Sequence, residues 1–233
     1  MSSIRLLSLA LLVAAAGAIS QSAFATVPYI ENFTSDAANW RDGAGAAAAI
    51  WAPSGGPDGS SHITSTASAF FLEDDDPVVV FRGQDGFNSS ADAFIGNWIS
   101  SGISQFSVWV RHDATVPLDF FVRFATAGNF PGTAADKGAL IAPNTWTKLS
   151  YEISPAHINE YLFPEGPPSF YNSTFGNLGN IQIWYSVPAG FGTVNQSFNF
   201  ALDQPSIQAP EPASVFLAMS LGAIAFIRRR RTT

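Results

Sequence analysis

The sequence contains no cysteine at all. That excludes a disulfide framework, a thiolate metal site and a cysteine nucleophile. Basic residues are scarce as well: between Thr26 and Ala209 six face 17 acidic ones, a net charge of −11 over 184 residues. A surface of that sign repels nucleic acid and anionic membranes. The three histidines, His62, His112 and His157, are scattered rather than set at ligand spacing, and read as surface or strand-edge residues. G-x-S-x-G, H-E-x-x-H, Walker and G-x-G-x-x-G signatures are all missing, so no catalytic residue is assigned. A glycosidase needs only two carboxylates about 5 to 10 Å apart, and among 17 acids such a pair is expected by chance, which leaves that class open.

What is present begins with the two ends. Arg5 precedes an apolar run from Leu6 to Ile19, and Ala23-Phe24-Ala25 places small residues where a signal peptidase reads them. Residues 1–25 are therefore expected to be a secretory signal peptide, cut by signal peptidase. Residues 210–233 carry Pro210-Glu211-Pro212, 15 apolar or small residues from Ala213 to Ile227, then Arg228, Arg229, Arg230 and Arg231. As a transmembrane helix that run rises about 22 Å, short of the roughly 30 Å hydrocarbon core. It reads better as a processing signal than as a permanent stem, with the arginines on the cytoplasmic side.

This tail resembles the PEP-CTERM sorting tail of Gram-negative bacteria that make exopolysaccharide. The resemblance implies recognition by an exosortase, a transient inner-membrane anchor through the tail alone, and then residence at the cell surface, outer membrane or extracellular matrix. It supplies an address and leaves the task of residues 26–209 open.

That middle segment is long enough for one domain with a real core. Twenty Phe and six Trp favour an aromatic-packed β interior. Period-two alternation puts Phe106, Val108 and Val110 on one face, likewise Phe120, Val122 and Phe124, then Leu149, Tyr151 and Ile153. Ile181, Ile183, Tyr185 and Val187 follow the same rule, as do Phe198, Phe200 and Leu202. With "YIENF", "SHITS" and "VVVFR" about eight short strands emerge without intervening helices, predicting an all-β antiparallel sandwich, a jelly roll. The order "AFIGNWISSGISQFSVWVRHDA", "PLDFFVRFA", "NTWTKLSYEIS" and "NFALDQPSI" is similar to laminin-B-like and galactose-binding-like jelly rolls, an architecture shared by many carbohydrate-binding modules. That resemblance implies the fold and a leaning toward glycans.

Three sets of side chains are candidates for function. Trp109 and Trp184 fall opposite the apolar alternation of their strands, and Trp40, Trp51 and Trp98 lie in or beside loops. Exposed indoles would stack pyranose rings, whereas indoles under a second layer would be core; both readings stand. First and last strands of a jelly roll are commonly neighbours, which would bring Glu31 to Asp203, with Asp58 and the carbonyls up to Ser60 as further oxygens. The resemblance implies a structural Ca²⁺ there, the alternative being ordinary edge-strand acids. Glu73 to Asp76, "EDDD", lacks EF-hand spacing and reads as a solvated loop. Asn88, Asn172 and Asn195 stand in N-x-[ST] contexts and read as polar loop residues.

The expectation is an exported, exosortase-processed β-sandwich without catalysis, glycan-binding or structural in exopolysaccharide or biofilm, with extracellular polysaccharide as partner. The rival is a glycan hydrolase or lyase on the same fold.

Overall fold

The structure, a computed structural model, describes residues 25, 27–68, 77–193 and 195–210. The expected signal peptide apart from Ala25, the "EDDD" run, and the tail beyond Pro210 lie outside the described residues. No helix among the described residues is long and apolar enough to cross a membrane.

Nearly all the regular secondary structure of the described chain is strand. In order come β1 (Tyr29–Ile30), β2 (Arg41–Asp42), β3 (Ile50–Ala52), β4 (His62–Ser68), β5 (Val78–Gln84), β6 (Gln105–His112) and β7 (Leu118–Thr126). They are followed by β8 (Gly132–Ala135), β9 (Leu140–Ile141), β10 (Thr147–Glu152), β11 (Leu162–Pro164), a one-turn-and-a-half helix α1 (Phe170–Phe175), β12 (Leu178–Ser186) and β13 (Ser197–Gln208). One sheet runs β10-β6-β13-β4-β3, with β1 added against β13. The other runs β11-β8-β7-β12-β5-β2, with β9 added against β7. All the pairings are antiparallel.

Within this order β4-β13-β6-β10 faces β5-β12-β7-β8, the two four-stranded sheets of a jelly roll. The expected pairing of the first and last strands is present, Tyr29 opposite Ile207. "YIENF", however, contributes only the two-residue β1. The eighth strand of the roll is β8, whose sequence "GTAA" has no large apolar residue to reveal it. Its small side chains suit a strand against which α1 packs.

Alternation explains the core. Phe106, Val108, Val110, Phe120, Val122, Leu149, Tyr151, Ile183, Phe198 and Phe200 are all buried between the sheets. Phe200 of β13 meets Tyr185 of β12 at 4.6 Å between ring centroids and Phe120 of β7 at 6.0 Å, so one ring ties the layers together. Burying a phenylalanine of this kind is worth about 1.5 to 3 kcal/mol.

Two tryptophans belong to the interior. Trp40 and Trp98 are fully buried, which corrects the expectation that either offers a ring to a ligand. The physical reason is that their loops fold inward over the sandwich. Trp98 packs on Phe106, Phe124 and Phe175, and its indole N–H donates to the Phe94 carbonyl at 2.7 Å. Trp40 donates to Ser90 Oγ at 2.9 Å and lies so close to β5 that a Cβ on Gly83 would come 2.8 Å from its ring. With N–H satisfied and ring enclosed, an indole is core. His62 and His112, expected at the surface or at a strand edge, are buried as well; His112 hydrogen-bonds through Nε2 to the Ile141 carbonyl at 2.9 Å and stacks on Phe120.

Candidate functional site

The remaining candidates divide between the outward faces of the two sheets. On the β12 sheet, Gln182 and Trp184 point away from the core because Ile181, Ile183 and Tyr185 point into it. On β7 the same rule turns Phe121 and Arg123 outward, and on β5 it turns Arg82 outward. Register then lines these residues up. Arg41 is opposite Arg82, Arg82 opposite Gln182, and Gln182 opposite Arg123, one row across four strands. One step along, Trp184 is opposite Phe121.

A β-bulge sits where it matters. Ile183 pairs with Phe81 but Trp184 with Val79, leaving Val80 as the extra residue on β5. Bulges re-aim the side chains beside them, and here the extra residue lets Val80 and Phe81, consecutive on β5, both lie in the core. The Trp184 ring stacks on Phe121, centroids 5.9 Å apart and planes at 22°, while both rings stay partly exposed.

Polar groups surround the pair. The Trp184 indole N–H donates to Gln182 Oε1 at 3.1 Å, and Gln182 Nε2 donates to Asn129 Oδ1 at 2.8 Å. Arg123 joins them, donating to Gln182 Oε1 at 3.2 Å and to Asn129 Oδ1 at 2.9 Å, and it forms a two-pronged pair with the Glu165 carboxylate. Asn129, at φ 65° in the turn between β7 and β8, thus holds that turn over the sheet. Arg82 donates from Nε to the Gly43 carbonyl at 2.6 Å; burial, and then the neighbouring Arg123 guanidinium, push its pKa down. Arg41 lies over the Phe87 ring at 4.2 Å. Asp119, at the end of β7, has its carboxyl pushed up to about 6 by burial and next by Asp136.

The opposite face is organised around β13. Asp203 is buried, and its two oxygens accept from Ser60 Oγ at 2.6 Å and from the Gln204 amide at 2.8 Å. Those bonds serve the backbone: Gln204 has φ 48° in the bulge where Asp203 pairs with Trp109 and Ser206 with Ser107. Burial pushes the Asp203 carboxyl up to about 6. The loop around Gly56 lies directly on it, so that a Cβ at Gly56 would come 2.6 Å from Asp203 Oδ2. Trp146 reaches across the same face, its indole N–H donating to the Gly55 carbonyl at 2.9 Å, its ring edge-on to His62 and under the Arg111 guanidinium at 4.8 Å. Beside it opens a groove of about 330 Å³ lined by Thr64, Arg111, Asp113, Asn144 and Asn199.

The acids grouped in the calcium expectation separate into two sets. Asp58 meets Asp203 through shared partners, accepting from the Ser60 amide and from Gln204 Nε2. Glu31 accepts instead from Tyr29 Oη at 3.0 Å and from the Phe33 amide at 2.9 Å. Both sets are ringed by N–H and O–H donors, whereas Ca²⁺ wants six to eight oxygens. Among the described residues no group of three or more His, Cys, Asp or Glu is placed to hold a metal ion.

Of the sequence-nominated indoles, Trp184 and Trp109 face outward and are partly exposed, and Trp51 is 36% exposed at the β3 edge with its N–H on the Phe33 carbonyl. Arg41, Arg82, Phe121, Arg123, Gln182 and Trp146 were not singled out. Phe121, Arg123 and Gln182 could have been, since each falls on the outward phase of a strand already recognised.

Comparison with known proteins adds the following. The PEP-CTERM protein-sorting motif matches residues 208–231, so the chain carries a sorting signal that implies an exported protein. A search of the curated proteins finds no match. Among solved structures, the chain is similar to the CBM22-1–GH10 modules of the Clostridium thermocellum xylanase 10B complexed with xylohexaose, at 13% identity and TM-score 0.43 over 79% of this chain and 29% of that one. It is similar to the family 11 carbohydrate-binding module of Clostridium thermocellum, at 12% identity and TM-score 0.46, covering 79% and 98%. It is also similar to the L4b domain of human laminin alpha-2, at 11% identity and TM-score 0.33, covering 70% and 98%. This chain therefore spans less than a third of the xylanase chain it matches.

Proposed function

We propose that the sandwich is a glycan-binding module of an exported protein, released by an exosortase at its sorting tail, and that it works by binding extracellular polysaccharide rather than by catalysis. The observation that carries this reading is the partly exposed Trp184–Phe121 pair set beside Asn129 and Arg123 on an outward sheet face, with the buried Gln182 holding them in place. A pyranose has an apolar face that an indole can cover and a rim of hydroxyls that need donors and acceptors, and here both are supplied side by side. Trp184 is fixed by its own N–H bond and by Phe121, so little side-chain freedom is lost on binding. The sorting motif adds the setting, since a chain sorted to the cell exterior meets polysaccharide there. Glu165, the carboxylate nearest this array, is engaged with Arg123, which suits positioning rather than proton transfer.

The test is affinity electrophoresis of the exported protein in gels containing soluble polysaccharides, followed by calorimetry on those that retard it. Trp184→Ala should weaken binding about 10- to 30-fold, the loss of a central aromatic anchor worth about 1.4 to 2 kcal/mol. Retardation unchanged in Trp184→Ala, or release of new reducing ends from the polysaccharide, would reject the reading.

A further inference from the structure

The six basic residues between Thr26 and Ala209 are few against 17 acids, yet three of them, Arg41, Arg82 and Arg123, share the one cross-strand row described above. Neighbouring strands lie about 4.8 Å apart, so three steps extend the row over roughly 14 Å. Arg41 stands directly opposite Arg82, and like charges so placed destabilise a sheet. Among the described residues neither Arg41 nor Arg82 has a carboxylate within the 4.0 Å of an ion pair, although Asp42 beside Arg82 offsets part of its charge.

What holds these two side chains leaves most of each fork unused. Arg41 rests on Phe87 and donates once, to the Gly45 carbonyl at 3.3 Å. Arg82 donates from Nε to Gly43, and its terminal nitrogens have no acceptor among the described residues. Arg123 is already neutralised by Glu165, so Arg41 and Arg82 are the contacting cations. Guanidinium forks match the paired oxygens of carboxylate and sulfate groups.

We infer that the polysaccharide taken by this face is anionic, its carboxylate or sulfate groups lying along Arg41 and Arg82 while a sugar ring rests on Trp184. The inference rests on the glycan-binding reading and names its ligand class. The net negative charge elsewhere repels a polyanion, so the arginine row fixes where and in which orientation the ligand lands.

The experiment is calorimetry of the exported protein with polygalacturonate, dextran sulfate and neutral dextran, each at 50 mM and 500 mM NaCl. One of the two polyanions should bind on the order of tenfold tighter than neutral dextran, with affinity falling as salt screens the row. Which polyanion wins distinguishes carboxylate from sulfate. Arg82→Gln and Arg41→Gln should each lower that affinity on the order of tenfold without lowering the melting temperature, while Arg111→Gln on the opposite face leaves it unchanged. Neutral dextran bound as tightly as the polyanions, and insensitive to Arg82→Gln, overturns the inference and keeps the glycan reading. An equal loss in Arg111→Gln overturns it too, because attraction is then diffuse. Failure of natively folded protein to bind any of a broad set of neutral and anionic glycans removes both.

Discussion

The two outward faces of this sandwich use the same kinds of residue in opposite ways. Each has tryptophan, arginine and an acid in contact range. On the β13 face they are spent on one another and on a loop: Trp146 is tied to Gly55, stacked by Arg111 and met by His62, and Asp203 is capped by Ser60. On the β12 face Trp184 and Phe121 support each other within the sheet, and Arg41 and Arg82, which like Arg111 form no ion pair among the described residues, stand opposite each other in one row. Side-chain inventory therefore does not distinguish a binding face from a closed one. What distinguishes them is the cross-strand register, which on the β12 face lines arginines up in a row beside a partly exposed aromatic pair.

The largest expected effect erases the difference between the faces. Phe200→Ala removes the ring that joins Tyr185, Phe120 and His112 and should destabilise the fold by about 3 to 5 kcal/mol in urea or thermal unfolding. A loss below about 1 kcal/mol would mean the layers are not held together through β13.

A smaller effect separates the faces by pH. The Asp203 carboxyl is raised to about 6 by burial, above the ordinary value near 3.9, so the native state holds its proton more tightly than the unfolded chain. The stability this confers is complete below about pH 4 and lost as pH rises through about 6. Melting temperature at pH 4 and pH 7 should therefore differ less in Asp203→Asn than in the parent protein, and Asp119, raised to about 6 on the other sheet, should account for a further share in the double variant. An identical pH profile in Asp203→Asn would show that the loop does not bury this group in solution.

The smallest expected effect is the most discriminating for function. Trp109 faces outward on β6, opposite Asp203, and was as good a candidate as Trp184 from alternation alone. Trp109→Ala should leave polysaccharide affinity within about twofold, against the tenfold or more expected for Trp184→Ala; the reverse pattern would move the site to the other sheet.

How much of this was legible beforehand follows from what period two can and cannot encode. Alternation assigns a phase, and so Val108, Tyr151, Ile183 and Phe200 were placed inside and Trp109 and Trp184 outside from sequence alone. It carries no information about which strands become neighbours, and the arginine row exists only because β2, β5, β12 and β7 lie side by side. Nor does it reach loops: Trp40 and Trp98 looked available because nothing in their immediate sequence shows the chain turning them inward. β8 was invisible for a different reason, its small residues fitting under α1 instead of advertising a core. The calcium expectation drew on the pairing of first and last strands, which is present; that Glu31 and Asp203 each accept from local donors could not be read from alternation.

The position of β13 has a mechanical consequence. It lies between β4 and β6 and also pairs with β1, and the sorting motif starts at its last residue, Gln208. A pull applied along β13 through that segment loads its ladders to β4 and β6 in shear. Many hydrogen bonds then resist together, instead of parting one at a time as they would on an edge strand.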